Sequence, residues 1–156
     1  MFFSTKSYGP ERGLSCAFRQ SNATHSHCNL IHGYALGFTF KFGCKSLDDK
    51  NWVVDFGGLK PLKQWLEDTF DHTLAIDSSD PHLDTFKDLE KIGLVDLRIL
   101  KGVGCEMFAK HAYTAADKII TDLGLNERCW VEEVECREHG ANSAIYCGTT
   151  IFREEL

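Results

Sequence analysis

The chain has 156 residues, of which 43% are hydrophobic and 26% charged, a composition typical of one globular domain. A net charge of −6 disfavours a nucleic-acid partner, because phosphate neutralisation requires a clustered basic surface. The apolar run at residues 35–40 ends at Lys41, short of the roughly 20 residues that span a bilayer, and the N-terminus has no secretion pattern. We therefore expect one cytoplasmic domain over residues 1–156, with a small polar partner and neither a membrane nor a nucleic acid.

The sequence contains seven cysteines, an odd number, and no two of them are spaced as CxxC. Disulfide scaffolds belong to small secreted domains, and four-cysteine zinc sites require closely spaced pairs. We therefore expect free thiols.

The first part of the chain predicts two strands. Residues 13–19 form a short segment compatible with a strand, and apolar side chains recur at every second position of residues 34–44. The members of this apolar face are Tyr34, Leu36, Phe38, Phe40 and Phe42. Such alternation is typical of an antiparallel strand with one buried side.

Helical spacing follows. Residues 58–70 predict a first helix that ends before Asp71, and residues 105–123 predict a longer one that ends at Gly124, a residue suited to a left-handed C-cap. Between them, residues 77–102 form an insertion in which we expect a short helix over residues 81–91 and a short strand over residues 94–100.

Two strands close the chain, over residues 129–138 and residues 144–152. Alternation in the first of them predicts that Trp130, Val134, Cys136 and Glu138 share one face. The order of two strands, two main helices and two strands predicts an α+β domain. We expect a four-stranded antiparallel sheet with the two main helices on one face.

Polar side chains that could take part in catalysis lie at the ends of these elements. Cys28 and His32 precede the second strand, so they should lie at the rim of the sheet. Asp71 and His72 follow the first helix, and a carboxylate beside an imidazole fixes its tautomer and raises its basicity, as a general base requires. Taken alone, this pair is weak evidence of catalysis and is more typical of a solvated helix end.

Glu138 ends an otherwise apolar strand face, and a carboxylate in that position needs partners. The ring N–H and exocyclic amine of a pterin or a guanine form a two-donor edge that one carboxylate accepts. Glu138 is therefore a candidate anchor for such a ring.

Three segments, in order, resemble the 6-pyruvoyl- and 6-carboxy-tetrahydropterin synthase family. Cys28 with His32 and Gly33 resembles its Cys-x-x-x-His-Gly-His segment. Residues 54–60, Val-Asp-Phe-Gly-Gly-Leu-Lys, are similar to its Met/Val-Asp-Phe-x-x-Leu-Lys segment, and residues 70–72, Phe-Asp-His, are similar to its Leu-Asp-His. The resemblance covers nearly the whole chain.

Two further matches lie in the second half. Cys105 and Glu106 stand where the family has Thr-Glu or Ser-Glu at the start of the second helix. Tyr146 follows Glu138 by eight residues, which is the spacing of the family's terminal glutamate strand.

The resemblance implies a tunnelling fold of ββααββ units that assemble into an oligomeric barrel, usually a homohexamer with shared active sites. It implies a proton-transfer triad of Cys28, Asp71 and His72, a pterin anchor at Glu138, and Glu106 near the same ring. The implied activity is a carbon–oxygen lyase acting on 7,8-dihydroneopterin triphosphate. The pathway stays open between queuosine-type deazapurine, biopterin and folate synthesis.

The chain departs from this family at the zinc ligands. The family uses three histidines, but Phe18 and Tyr34 occupy two of these positions and only His32 remains. One expectation is that His25 and His27 join His32 as zinc ligands, because a catalytic zinc needs about three protein ligands.

The other expectation is that zinc is absent. The protein would then be a metal-free pterin epimerase or aldolase-like enzyme, or a non-catalytic pterin- or purine-binding protein. Tyr34 would in that case donate a hydrogen bond to a side-chain oxygen of the pterin.

Overall fold

The computed structural model describes residues 1–148, so the last part of the strand predicted over residues 144–152 lies outside the described residues. The strands are β1 (Phe2–Tyr8), β2 (Leu14–Phe18), β3 (His32–Cys44), β4 (Thr73–Asp77), β5 (Leu97–Leu100), β6 (Cys129–His139) and β7 (Asn142–Cys147). The helices are α1 (Lys60–Phe70), α2 (Leu83–Lys91) and α3 (Cys105–Asp122). Within residues 1–148, none of these helices has the length and apolar character needed to cross a membrane.

Within residues 1–148, the sheet has seven strands in the order β5-β4-β2-β3-β6-β7, with β1 paired to β3. The predicted antiparallel core of β2, β3, β6 and β7 is confirmed. The prediction lacked β1 and β4, and β4 pairs in parallel with both β2 and β5. β1 gives a weak signal because only Tyr8 is buried along it, and β4 has too short an apolar run to show a period.

β3 supplies the centre of the core. Its predicted apolar face is confirmed, because Leu36, Phe38, Phe40 and Phe42 are at most 1% exposed. α1 and α3 pack over this face, as expected: the Phe70 ring of α1 lies 5.0 Å from Phe38 and 5.1 Å from Phe108 of α3. These aromatic contacts hold the two main helices on one side of the sheet.

β6 changes face in its middle, and the prediction for Trp130 is wrong for that reason. An irregularity in the β3–β6 pairing lets Val131 and Cys129 enter the core together with Val134 and Cys136. One extra residue moves all earlier side chains to the other face. Trp130 consequently lies over Gly43, where an added Cβ would be 2.6 Å from the indole ring.

The insertion at residues 77–102 adds β5 to the edge of the sheet beside β4 and places α2 on the opposite face of the sheet. Leu74 and Ile76 of β4 pack with Phe86 of α2, whereas Ala75 between them belongs to the main core. Because successive strand residues point to opposite faces, α2 lies across the sheet from α1 and α3.

A buried ion pair ties this insertion to β2. The Arg19 Nε donates to the Asp80 carboxylate at 2.8 Å, and the Asp80 side chain is 0% exposed, against 18% for Arg19. Asp80 also accepts a hydrogen bond from the His82 N–H at 2.8 Å. The carboxylate is therefore satisfied from two sides, as a buried charge requires.

Removing the Asp80 carboxylate should lower the stability of the protein more than removing an exposed charged side chain does. We expect Asp80→Ala to reduce the free energy of unfolding by about 3–5 kcal/mol, because it leaves the Arg19 charge largely buried without its partner. Urea denaturation followed by circular dichroism measures this change. The control is Asp84→Ala, whose side chain is 99% exposed in its ion pair with Lys87 and which should unfold like the wild type. Equal midpoints for the two variants would contradict this role for Asp80.

Candidate active site

Cys28 lies at the rim of the sheet, as its position before β3 predicts. It is half-buried in a short turn between β2 and β3, where the Ser26 hydroxyl accepts a hydrogen bond from the Cys28 N–H at 3.2 Å. The Cys28 carbonyl accepts another from the Gln20 N–H at 2.8 Å. These bonds fix the backbone that carries the thiol.

A row of aromatic rings starts beside Cys28 on the helix-covered face. Phe18 and His32 are opposite each other in β2 and β3, with ring centroids 4.7 Å apart. Tyr34 follows, with its ring 5.7 Å from His32 and 5.7 Å from His139. The Nδ1–H of His32 donates to the Leu30 carbonyl at 2.8 Å, which leaves Nε2 of the neutral ring as an acceptor.

Tyr34 is where the electrostatic effects of Cys28 and Glu138 meet. Burial raises the pKa of the Tyr34 phenol, and the negative charges of Glu138 and of the ionised Cys28 raise it further. Two residues distant in sequence are thus close enough to act on one hydroxyl. Tyr34 stays a protonated hydrogen-bond donor.

Beside this row lies a polar cleft of about 440 Å³, within the range of roughly 300–1,000 Å³ for small-molecule sites. Its polar lining residues are Gln20, Cys105, Glu106, Glu138, Asn142 and Ser143. The structure therefore brings the two predicted glutamates to one cavity, Glu106 from the first turn of α3 and Glu138 from the end of β6.

Sequence reasoning missed several members of this lining. Asn142 and Ser143 begin β7, directly after the turn that follows Glu138, so a tight hairpin returns them to the cleft. Gln20 is harder to find, because it reaches the cleft by lying against Gly104, where an added Cβ would be 2.6 Å from the Gln20 amide nitrogen. The hairpin pattern was a usable signal for the first two residues, whereas nothing in the sequence indicates Gln20.

Asp71 and His72 form the second group of predicted site residues. The His72 Nδ1 lies 2.6 Å from an Asp71 carboxylate oxygen, so the carboxylate orients the ring. The His72 side chain is 85% exposed, and its backbone has a φ of 55° in the left-handed region. Non-glycine residues in this region are strained, and such strain is concentrated at functional sites.

Within a single chain, Asp71 and His72 do not lie next to Cys28. In the parallel β2–β4 register, Thr73 is level with Cys16, whereas Cys28 is bonded to Gln20 beyond the other end of β2. Gln20, which holds Cys28, is therefore offset from His72 by about five residues, or roughly 17 Å along the strands at about 3.3 Å per residue. Within residues 1–148, no hydrogen bond, ion pair or ring contact joins His72 to Cys28 or Glu138.

The histidines proposed as zinc ligands do not meet in this structure. His25 and His27 line an open depression of the loop before β3, while the ring of His32 packs on Phe18. Among residues 1–148, no three His, Cys, Asp or Glu side chains form a group able to hold a metal. The donor set described here does not fit a three-ligand zinc site, and zinc binding by His25, His27 and His32 stays a prediction.

Comparison with known proteins places these features in a family. The sequence profile of the 6-pyruvoyl tetrahydropterin synthase family matches residues 10–149. A 6-carboxy-5,6,7,8-tetrahydropterin synthase of Aquifex aeolicus is 28% identical over 123 residues, which cover 76% of this chain and 75% of that protein. A protein of the same description from Rickettsia bellii is 33% identical over 57 residues, and this match spans only 41% of its length.

Solved structures share the fold. An uncharacterized protein of Wolinella succinogenes superposes with a TM-score of 0.73 at 18% identity, covering 94% of this chain and 97% of that one. The 6-pyruvoyl tetrahydropterin synthase of Caenorhabditis elegans superposes with a TM-score of 0.60 at 19% identity, covering 95% and 94%. The α+β tunnelling fold is thereby confirmed. The chain belongs to the 6-pyruvoyl tetrahydropterin synthase family.

The electrostatic link between Glu138 and Tyr34 can be measured directly. We expect Glu138→Gln to lower the pKa of Tyr34 towards its ordinary value, because the substitution removes a nearby negative charge. Absorbance titration of the phenolate measures the shift, and Tyr34→Phe identifies which transition belongs to Tyr34. Glu127→Gln, just before the opposite end of β6, should leave the titration unchanged. An unchanged titration curve in Glu138→Gln would show that the charge of Glu138 does not act on Tyr34.

Proposed function

We propose that this protein is a carbon–oxygen lyase of the tetrahydropterin synthase type that acts on 7,8-dihydroneopterin triphosphate. The observation that carries the proposal is the polar cleft lined by both Glu106 and Glu138, next to the Tyr34 phenol whose pKa is raised by burial and by the charges of Glu138 and Cys28. Membership of the synthase family supports the reaction class. The Aquifex relative favours the 6-carboxy product over the 6-pyruvoyl product.

Glu138 is the proposed anchor for the pterin ring. Its carboxylate accepts two parallel hydrogen bonds from the ring N–H and the exocyclic amine, which satisfies a charge placed at the end of a buried strand face. Glu106 faces the same cleft from α3, and the Asn142 amide and Ser143 hydroxyl supply further polar contacts. This arrangement directs the substituent of the ring towards Cys28 and Tyr34.

Proton transfer is the chemistry that these residues perform in the proposal. Cys28, as a thiolate, takes a proton from a carbon of the substrate side chain, and the Tyr34 hydroxyl donates a hydrogen bond to a side-chain oxygen. His72, held by Asp71, exchanges the second proton. The scheme assigns these proton transfers to the side chains alone and routes no step through a metal.

The scheme requires two copies of the chain. Asp71 and His72 are displaced from Cys28 and open to solvent, so a neighbouring copy supplies them in the proposed assembly, a homohexameric barrel. Among residues 1–148, β1 pairs only with β3, which leaves its other edge unpaired, and Phe2 and Phe3 are exposed at 48% and 45%. Unpaired edges with apolar side chains favour strand pairing between copies.

The thiol of Cys28 should be essential for turnover but not for binding. We expect Cys28→Ala to abolish conversion of 7,8-dihydroneopterin triphosphate while its affinity changes little, because Glu138 still holds the ring. Chromatographic product analysis and fluorescence titration measure the two quantities. Cys147→Ala, an exposed thiol at the end of β7, is the matched control and should retain full turnover. Undiminished turnover in Cys28→Ala would remove this thiol from the mechanism.

A shared site predicts complementation between two inactive variants. Cys28→Ala and His72→Ala should each be inactive alone, and activity should return when the two are dissociated and reassembled together, since some sites then combine intact Cys28 and intact His72. Reassembly of Cys28→Ala with the double variant Cys28→Ala/His72→Ala is the control and should stay inactive. A reassembled mixture without activity would place all catalytic groups within one copy.

A second candidate is a pterin-binding protein or a metal-free epimerase or aldolase-like enzyme. Phe18 and Tyr34, which stand at two positions where the family has zinc ligands, favour it, since Phe18 is a buried hydrocarbon that covers His32. Product analysis separates the candidates. Recovery of unchanged substrate after long incubation supports the binding protein, and an epimer or an aldehyde product supports the metal-free enzyme.

A further inference from the structure

Two thiols face each other beneath the cleft, in a place that the proposed reaction does not use. Cys105 begins α3 and its Sγ lies 2.9 Å from the carbonyl oxygen of Cys136 in β6. Both side chains are buried in the same core cluster, and the Cys136 thiol is close enough to act on the pKa of Cys105. The two sulfur atoms are therefore neighbours across the contact between helix and sheet.

The two thiols differ in reactivity. The hydrogen bond from Cys136 lowers the pKa of Cys105 despite its burial and the charges of Glu138 and Glu106. The same bond and complete burial raise the pKa of Cys136. Cys105 lines the cleft, so a small solute reaches it first. This combination of an accessible, more acidic thiol with a protected partner is the pattern of a redox-sensing pair.

We propose that Cys105 and Cys136 form a reversible disulfide when a hydroperoxide enters the cleft. The Cys105 thiolate attacks the peroxide oxygen, which gives a sulfenic acid on Cys105 and releases hydroxide. The Cys136 thiol then attacks the Cys105 sulfur and water leaves, so two thiols and one hydrogen peroxide yield one disulfide and two waters. A thiol reductant reverses the bond by exchange.

Closing this bond moves α3 rather than the sheet. Cys136 is paired to Phe38 of β3 on one side and to Ala144 of β7 on the other. Cys105 instead follows Gly102 and Gly104, which have φ angles of 93° and 106° and allow backbone movements that other residues resist. The start of α3 is therefore the part that moves when the disulfide forms.

The movement reaches the cleft through adjacent residues. Glu106 follows Cys105 directly, and Glu138 lies two residues beyond Cys136 on the same strand. Oxidation therefore displaces Glu106 relative to Glu138 and narrows the cleft between them. The expected consequence is a loss of ligand affinity of about tenfold, the effect of misplacing one charged hydrogen-bond partner.

The test has a covalent readout that is independent of the proposed function. Reduced protein is exposed to hydrogen peroxide, digested with trypsin and analysed by mass spectrometry. We expect residues 102–110 to be linked to residues 129–137 through Cys105 and Cys136, and reductant to release them. Cys147, which is exposed and lies outside the cleft, reports that peroxide reached the thiols. Oxidation of Cys147 without this cross-link would overturn the proposal.

The effect on binding is followed with neopterin as a fluorescent pterin and rests on the proposed function. Peroxide should weaken neopterin binding to the wild type and to Cys129→Ala, whose thiol is buried opposite Cys44 at the far end of β6. It should not weaken binding to Cys136→Ala or to Cys105→Ser. Equal losses in all four proteins would assign the effect to another thiol and overturn the coupling. If the reduced wild type does not bind neopterin at all, the proposed function fails while the cross-link test stands.

Discussion

The rest of the structure depends on the packing of one strand face, the aromatic side of β3 under α1 and α3. Phe38, Phe40 and Phe42 are fully buried there, and Phe70 and Phe108 bring the two main helices onto them. Burial of several aromatic side chains is the largest favourable contribution available to a domain of this size. The pairings to β2, β1 and β6 place β3 at the centre of the sheet as well.

The candidate site is the open end of that same face. Tyr34 continues the alternation of β3 past the last fully buried position, so its ring packs at the margin of the apolar core and its hydroxyl is subject to the charges of Glu138 and Cys28. A polar group at the margin of a core experiences a low dielectric without complete loss of solvent. The core therefore does two tasks, because it stabilises the fold and sets the electrostatic environment of the site.

The two groups of candidate site residues differ in their exposure to solvent. Cys28 and Glu138 are partly buried, whereas His72 is open to solvent and held in a strained backbone conformation beside Asp71. Within residues 1–148, His72 has no contact with Cys28 or Glu138, and its strained backbone is of the kind found at functional sites. The α2 helix of the insertion packs on the other face of the sheet, and no residue of the insertion is among the described residues that line the cleft.

The sequence by itself determined the α+β class, the two main helices and the face of β3, because hydrophobic periodicity reports which side of each element is buried. It also indicated Glu138, since a polar residue at the end of an apolar strand face is visible without coordinates. Cys28 and Glu106 were indicated by the resemblance of their segments to the synthase family. Three features were decided only by the tertiary structure. They are the irregularity in the β3–β6 pairing that moves Trp130 to the other face, the approach of Gln20 to Gly104, and the contact of Cys105 with Cys136. These features depend on register and on pairs distant in the chain, and local patterns carry no information about either.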